Sequence, residues 1–336
     1  MSSSSFGSES QLVNLYVTTY GNEAVFEQCL DSYLRQTHAN VKIHIFDDGL
    51  ADGMESIREL VTRKNDARIH YRANAMRFGL TNNDAQVLRH IDSGSRAMLL
   101  AADQALADNA VEMLLDRALT QSAQVVRANG QSHEYSRVIA GGSYDWASPT
   151  RETALWPTEE TVNSMDVVAK YFGAENIHGE YNAGVMWGSL FDGGLVSNFG
   201  DGYRRFHVHG FEQYLALLLL VGASRVSFIA EPLNHDIVNQ PRLGGSFRPV
   251  DDSSRMECLL ACDDFLQRYD FVLHHRGLDL NDLRRGQIVK AKAFLDTFRG
   301  FDGYARDVIL RNEILLTHRL LETSARGTAE PVKSSE

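Results

Sequence analysis

The sequence predicts an α/β protein with a mostly parallel sheet flanked by helices and a helical extension at its C-terminal end. Short apolar strands alternate with amphipathic helices from Leu12 to Leu100, the pattern of a layered α/β domain. The second strand ends in Asp47-Asp48-Gly49, and the carboxyl ends of strands in open α/β sheets are where ligands sit. After Ser253 strand-like segments stop and only helical periodicity remains.

With 336 residues the chain can bury a large core, as one domain or one domain with an appendage. Its 43% hydrophobic and 23% charged content is that of a soluble globular protein. A net charge of −11 argues against a nucleic-acid partner, which would call for a basic face. Cys29, Cys258 and Cys262 make no disulfide framework, and the last two, one helical turn apart, read as helix packing. No secretory apolar region opens the chain, and the apolar run Leu215–Val221 is too short to span a bilayer. A cytoplasmic protein is expected.

Residues 1–10 are Ser-rich and polar, as in a disordered terminus. Leu12–Thr18 is a buried strand that ends in the turn-rich Thr19-Tyr20-Gly21-Asn22. Asn22 is placed to cap a helix from Glu23 to about Gln36, whose Val25, Phe26, Cys29, Leu30 and Tyr33 share a face. The Val41–Asp48 strand alternates apolar and polar residues, and a second helix runs from about Gly53 to Arg63. Arg68–Arg72 is a third strand, and the Gly-marked loop Met76–Gly79 leads to a helix ending near His90. Ala97–Leu100 is a fourth strand running into Asp103. Beyond these, Gln124–Ala128 suits a strand, Thr161–Phe172 a helix, and Arg225–Asp236 a late strand exiting at Pro232. The organisation expected is a first domain at 11–250, a helical subdomain at 251–323 in three stretches, and a frayed tail at 324–336. The helices have three roles open to them: packing on the first domain, forming a homodimer, or holding a carrier.

The first strand is followed by Thr-Thr-Tyr-Gly-Asn rather than G-x-G-x-x-G, and no P-loop occurs, so a glycine cradle for pyrophosphate is excluded. Taken alone, Asp47-Asp48 fits a turn and helix cap as well as a ligand site. Three segments in order change that balance: Val17–Asn22, Cys29–Thr37 and Ile45–Gly53. Together they resemble the N-terminal half of the family-2 glycosyltransferases of GT-A fold, and the likeness extends over about residues 12–240. It implies a nucleotide-sugar donor, UDP- or dTDP-linked because both bases present the same imide edge. Thr18, Tyr20, Asp47, Asp48, Arg77 and Asp103 would line the donor pocket.

The family's DxD motif holds a divalent cation against the donor diphosphate, where a hard ion with oxygen ligands offsets leaving-group charge. Here the run is Leu99-Leu100-Ala101-Ala102-Asp103-Gln104, a degenerate DxD that keeps Asp103 alone. Mg2+ or Mn2+ would be held by Asp103 and, by the same resemblance, His235. The family's acidic pair before an apolar helix corresponds to Glu212-Gln213 and implies Glu212 as catalytic base. As a residue of a helix start, Glu212 also suits a first-turn acid favoured by the dipole. His178, Tyr181, Trp187 and His209 are candidates for the acceptor, although Trp187 equally suits the core. The expected activity is inverting transfer of a hexosyl group to a small-molecule, peptide or carrier-bound acceptor. The alternative is a non-catalytic relative, for which Ala101 and Gln213 speak.

Overall fold

The computed structural model describes residues 11–49, 55–135, 149, 151–153, 156, 158–173, 176, 186–197, 199, 208–238, 252–297, 303, 306–315 and 317. Ten strands form a mixed sheet: β1 (Val13–Thr19), β2 (Val41–Asp47), β3 (Ile69–Ala73), β4 (Arg96–Ala101), β5 (Gln104–Leu106), β6 (Val125–Glu134), β7 (Arg151–Thr153), β8 (Thr161–Asn163), β9 (Leu190–Asp192) and β10 (Arg225–Val238). Their order is β3-β2-β1-β4-β9-β6-β10-β5, with β7 beside β6 and β8 beside β10. The first four strands are parallel, as expected. The later half is not uniformly so: β9 is antiparallel to β4 and β6, and β5 is antiparallel to β10.

Side-chain alternation along the strands feeds two apolar layers. Val13, Leu15, Val17, Ile43 and Ile45 pack under α1 (Glu23–Leu34) and α2 (Ser56–Lys64), where Phe26, Leu30, Ile57 and Leu60 are buried. Tyr16, Phe46 and Leu99 face the other way, toward α3 (Leu80–Leu88) and α6 (Val208–Gly222). Helix α4 (Ala110–Thr120) completes the first layer through Val111, Leu114 and Leu115. Parallel register sets Thr19 beside Asp47 and Thr18 beside Ala101, so the polar strand ends converge at one edge.

Several expected boundaries shift. Asn22 precedes α1 in a left-handed conformation and makes no side-chain cap; its carbonyl instead takes the Phe26 amide at 3.0 Å. Thr161–Asn163 is a strand paired with β10, and only Ser164–Phe172 (α5) is helical, capped by Asn163 accepting from the Met165 amide. Strand β10 does not exit at Pro232 but runs through it. One flank pairs with β8 at Arg225–Ser227 and with β5 at Asn234–Asp236, leaving the proline, which has no amide to donate, between the two. The register against β6 slips on either side of it.

The C-terminal helices α7 (Asp252–Arg268), α8 (Asp270–His275), α9 (Leu280–Thr297) and the helical segment 306–315 close the fold. Phe265 of α7 lies 5.9 Å from Tyr214 and 6.4 Å from Phe172, and Cys262 packs in the same core, as its spacing predicted. These helices therefore pack on the catalytic layer. A buried polar network ties them to one another: Asp263 accepts from Asn312 and Arg311, each at 2.6 Å, and Arg284 bonds Asp270 and Asn312. Gly286 of α9 sits where any Cβ would run into the Phe172 carbonyl.

Candidate active site

The site is built at the carboxyl ends of β1, β2 and β4, under α3 and α6. Asp48 is buried; its carboxylate accepts from Asn74 Nδ2 at 2.9 Å and from the amides of Phe78 and Gly79 at 2.8 and 2.7 Å. Those amides lead into the N-terminus of α3, where backbone donors favour an anion. Asp47, also buried, accepts from the Gly49 amide at 2.8 Å and the Tyr71 hydroxyl at 2.7 Å. The adjacent acids thus shape the loops at the rim. On that rim Arg77 lies over the Tyr20 ring, 4.5 Å from its centroid.

Deeper, Thr18 hydrogen-bonds Asp84 of α3, a buried carboxyl that desolvation pushes up to about 7. Asp103 occupies the turn between β4 and β5, and its carbonyl accepts the Ile237 amide at 2.8 Å. The next residue, Gln104, donates to Asp236 Oδ1 at 3.0 Å. Glu212 rises from the second turn of α6, not the first, so the helix dipole does not explain it. Protein surrounds most of it while its residue keeps partial exposure. Desolvation first, then Asp84, Asp103 and Asp236, push its carboxyl up to about 8. Such a group exchanges a proton near neutral pH, as a general base must.

Arg127 of β6 lies beneath these acids. Its guanidinium donates to the Trp187 carbonyl and its charge acts on Asp236, while burial pulls its own pKa down to about 10. Trp187 bridges to Leu99 beside β4, the Gly188 amide bonds the Leu99 carbonyl at 2.8 Å, and the Trp187 ring stands 6.2 Å from Phe211. Trp187 is therefore next to the helix that carries Glu212.

Residues 15–169 match the family described as Glycosyl transferase family 2. That match spans just under half of the chain, and over it the sequence is similar to the family-2 glycosyltransferases. TarS 1–349 of S. aureus in complex with UDP-GlcNAc has a similar fold, with a TM-score of 0.57 and 11% identity over 94% of this chain and 92% of that one. The same TarS fragment in complex with UDP gives 0.53 and 12% identity, over 96% and 93%. No curated protein matches the sequence. The GT-A fold expected from the resemblance over about residues 12–240 thus holds along the chain.

Thr18, Asp103 and Glu212 are brought near one another around Asp84 at the strand ends, with Tyr20, Arg77, Asp47 and Asp48 in the adjoining loops. His235 departs from the expectation. Alternate residues of a strand point to opposite faces. His235 shares its face with Leu233 and Ile237, bonded to His133 at 3.0 Å with burial holding it at about 4, whereas Asp236 faces Glu212. Among the described residues no three His, Cys, Asp or Glu side chains converge as a metal site. His178 and Tyr181 lie outside the described residues, as does the side chain of His209 in the first turn of α6. Also among the described residues, no helix is long and apolar enough to cross a membrane.

Asp84, Arg127, Asn234 and Asp236 were not singled out by the sequence. For Asp236 the signal was masked by Pro232, at which the strand was expected to end and around which its register slips. For Asp84 there was none, because a helical Asp among Thr81, Asn82 and Asn83 looks like a solvated face.

Proposed function

We propose that the protein is an inverting glycosyltransferase that moves a sugar from a UDP- or dTDP-sugar to an acceptor hydroxyl, with Glu212 as general base. What supports this is the placement of the Glu212 carboxyl on α6, mostly surrounded by protein and close enough to Asp84 of α3 and to Asp103 and Asp236 for burial and their charge to raise its pKa to about 8. In the transfer the acceptor oxygen loses its proton to Glu212 and attacks the anomeric carbon. The bond from that carbon to the diphosphate oxygen breaks on the opposite face, and the nucleoside diphosphate leaves. The nucleotide complexes of TarS, alike in fold, support this choice of donor.

Thr18, Tyr20 and Arg77 would contact the nucleotide, with Asp47 and Asp48 setting the shape of its pocket. Mg2+ or Mn2+ would be held by Asp103 with the donor's own oxygens. The oxygen-only donor set suits a hard cation, and one or two carboxylates plus phosphates are its usual shell. The ion would offset charge on the departing diphosphate. Trp187, His178, Tyr181 and His209 would meet the acceptor. A cytoplasmic setting and a soluble acceptor complete the proposal.

The test is a thermal-shift screen of UDP, dTDP, AMP and NAD, followed by donor turnover. UDP or dTDP at one hundred times its dissociation constant should add about 2.7 kcal/mol, and AMP and NAD nothing. Glu212→Gln should keep that shift and lose about 10²–10⁴-fold in turnover. Because Gln213 and Ala101 replace acids of the family pattern, a non-catalytic relative is the second reading. Donor binding without transfer by the parent chain to any acceptor tested would favour it.

A further inference from the structure

We propose that Tyr33 is a positioning residue for Asp103: its hydroxyl draws together the two ends of the turn between β4 and β5 and so sets where the Asp103 carboxylate stands. The inference rests on the reading above in which Asp103 would hold Mg2+ or Mn2+ against the donor diphosphate. It adds to that reading a residue of α1 that meets neither donor nor acceptor and acts through the turn alone.

Tyr33 is wholly buried in the apolar layer under α1, which it shares with Met98 and Leu100 of β4 and with Ala105 and Leu106 of β5. Its hydroxyl donates to the Gln104 carbonyl and lies 3.4 Å from the Ala101 carbonyl. Ala101 is the last residue of β4 and Gln104 the first of β5, with Ala102 and Asp103 between them. One hydroxyl therefore meets both ends of the turn that carries Asp103. Burial first, then Cys29, Asp103 and Asp236, push the pKa of that hydroxyl well above the ordinary tyrosine value, so it keeps its proton and remains a donor.

Strand β10 takes hold of the same turn from the other side. Ile237 donates its amide to the Asp103 carbonyl at 2.8 Å, and Gln104 Nε2 donates to Asp236 Oδ1 at 3.0 Å. Strand β5 also has its own ties to the end of α1. Ser32 Oγ accepts the Leu106 amide at 3.0 Å, and Gln36 Nε2 donates to the Ala107 carbonyl at 2.8 Å. Those bonds keep β5 against the helix with or without the Tyr33 hydroxyl. What the hydroxyl adds is the spacing of Ala101 from Gln104, and with it the direction in which the backbone carries the Asp103 side chain. The degenerate motif keeps Asp103 alone, so the placement of one carboxylate counts for more. Groups that orient a ligating side chain from behind typically contribute about 10–100-fold to metal affinity.

The experiment measures the dissociation constant of UDP for the full chain with Mg2+ or Mn2+ and again with the metal chelated by EDTA. The ratio of the two values is the metal gain. Metal should tighten UDP binding to the parent, and Asp103→Ala should remove the gain. Tyr33→Phe keeps the ring and loses the hydroxyl; it should lose most of that gain while binding UDP without metal as the parent does. Ser32→Ala cuts a buried bond from the same helix to Leu106, beyond the turn, and should lower the melting temperature yet leave the gain whole. Tyr33→Met, whose long side chain fills irregular space, takes the place of Tyr33→Phe should that variant not fold. A parent-like gain in the Tyr33 variant would overturn the inference and leave the metal reading standing. An equal fall of the gain in Ser32→Ala would also overturn it, by tracing the effect to helix packing at large. A parent that binds no UDP, or binds it alike with and without metal, would remove the metal reading and this inference with it.

Discussion

His44, His133 and His235 are each held by burial at about 4, well under the ordinary histidine value. His44 is wedged between the rings of Tyr16 and His70, and every charged group acting on it is basic. Between about pH 6.5 and 4 the unfolded chain binds protons at these histidines that the folded chain refuses, so stability falls as the solution is acidified. Asp84 and Glu212 act in the opposite sense. Their folded values of about 7 and 8 mean that the native state pays for their ionisation above those values and is relieved as pH drops through them. The melting temperature should therefore peak between roughly pH 6.5 and 7, and Glu212→Gln should flatten its alkaline side. A melting curve series that rises steadily up to pH 9 in the parent would contradict the assignment. Turnover by the parent should in turn lose an ionised base below about pH 8 and fall on that side.

At the scale of elements, the loop between β3 and α3 hangs on Asp48. Asp48→Ala would leave the Phe78 and Gly79 amides without their acceptor, while Asn74 Nδ2 would keep only its bond to Asn83 Oδ1. Each buried unpaired donor costs about 1–3 kcal/mol, so a loss of about 2 kcal/mol or more is expected, with faster hydrogen exchange over 74–80 and weaker UDP binding. Exchange that is unchanged over 74–80 would show that Asp48 does not hold the loop. The second element-scale test is Gly286→Ala, which presses a methyl group into the Phe172 carbonyl. Overpacking costs typically 1–3 kcal/mol and exceeds the roughly 1 kcal/mol that alanine gains over glycine within a helix, so melting should drop by several degrees. The strands β1, β2 and β4 were legible because their runs are apolar and bounded by turn residues. Strand β8 was not, since three residues leave no period to count and their pairing is with a segment some sixty residues away. The path of β10 through Pro232 was equally hidden: a proline signals a strand end unless its missing amide falls in a gap between two partners.

For the whole molecule, the helices after residue 251 are integral to the fold. Phe265 and Leu266 complete the core formed by Tyr214, Leu217 and Phe172. A chain ended at residue 250 should expose that face and be recovered aggregated or molten, which near-UV circular dichroism and sedimentation would report. A folded, monomeric 1–250 fragment would show the helices to be an independent appendage. The sequence displayed these helices by period, yet not their destination, because an amphipathic stripe does not say which apolar surface covers it. The polar cluster was half legible for a related reason. The family resemblance points to Asp103 and Glu212, whereas Asp84 and Arg127 join them only through strands and helices distant in sequence.

The position of Trp187 gives the protein an optical handle. Trp156 is stacked face to face with Phe228 at 4.4 Å and almost fully buried, so its emission is a steady background. Trp187 stands half-open beside Phe211, its carbonyl gripped by Arg127 and its neighbour Gly188 pinned to β4. A molecule entering from the acceptor side would replace water against that indole and shift its fluorescence toward the blue, reporting occupancy in real time without a label. Trp187→Phe should silence that colour change while the signals of Trp146 and Trp156 persist.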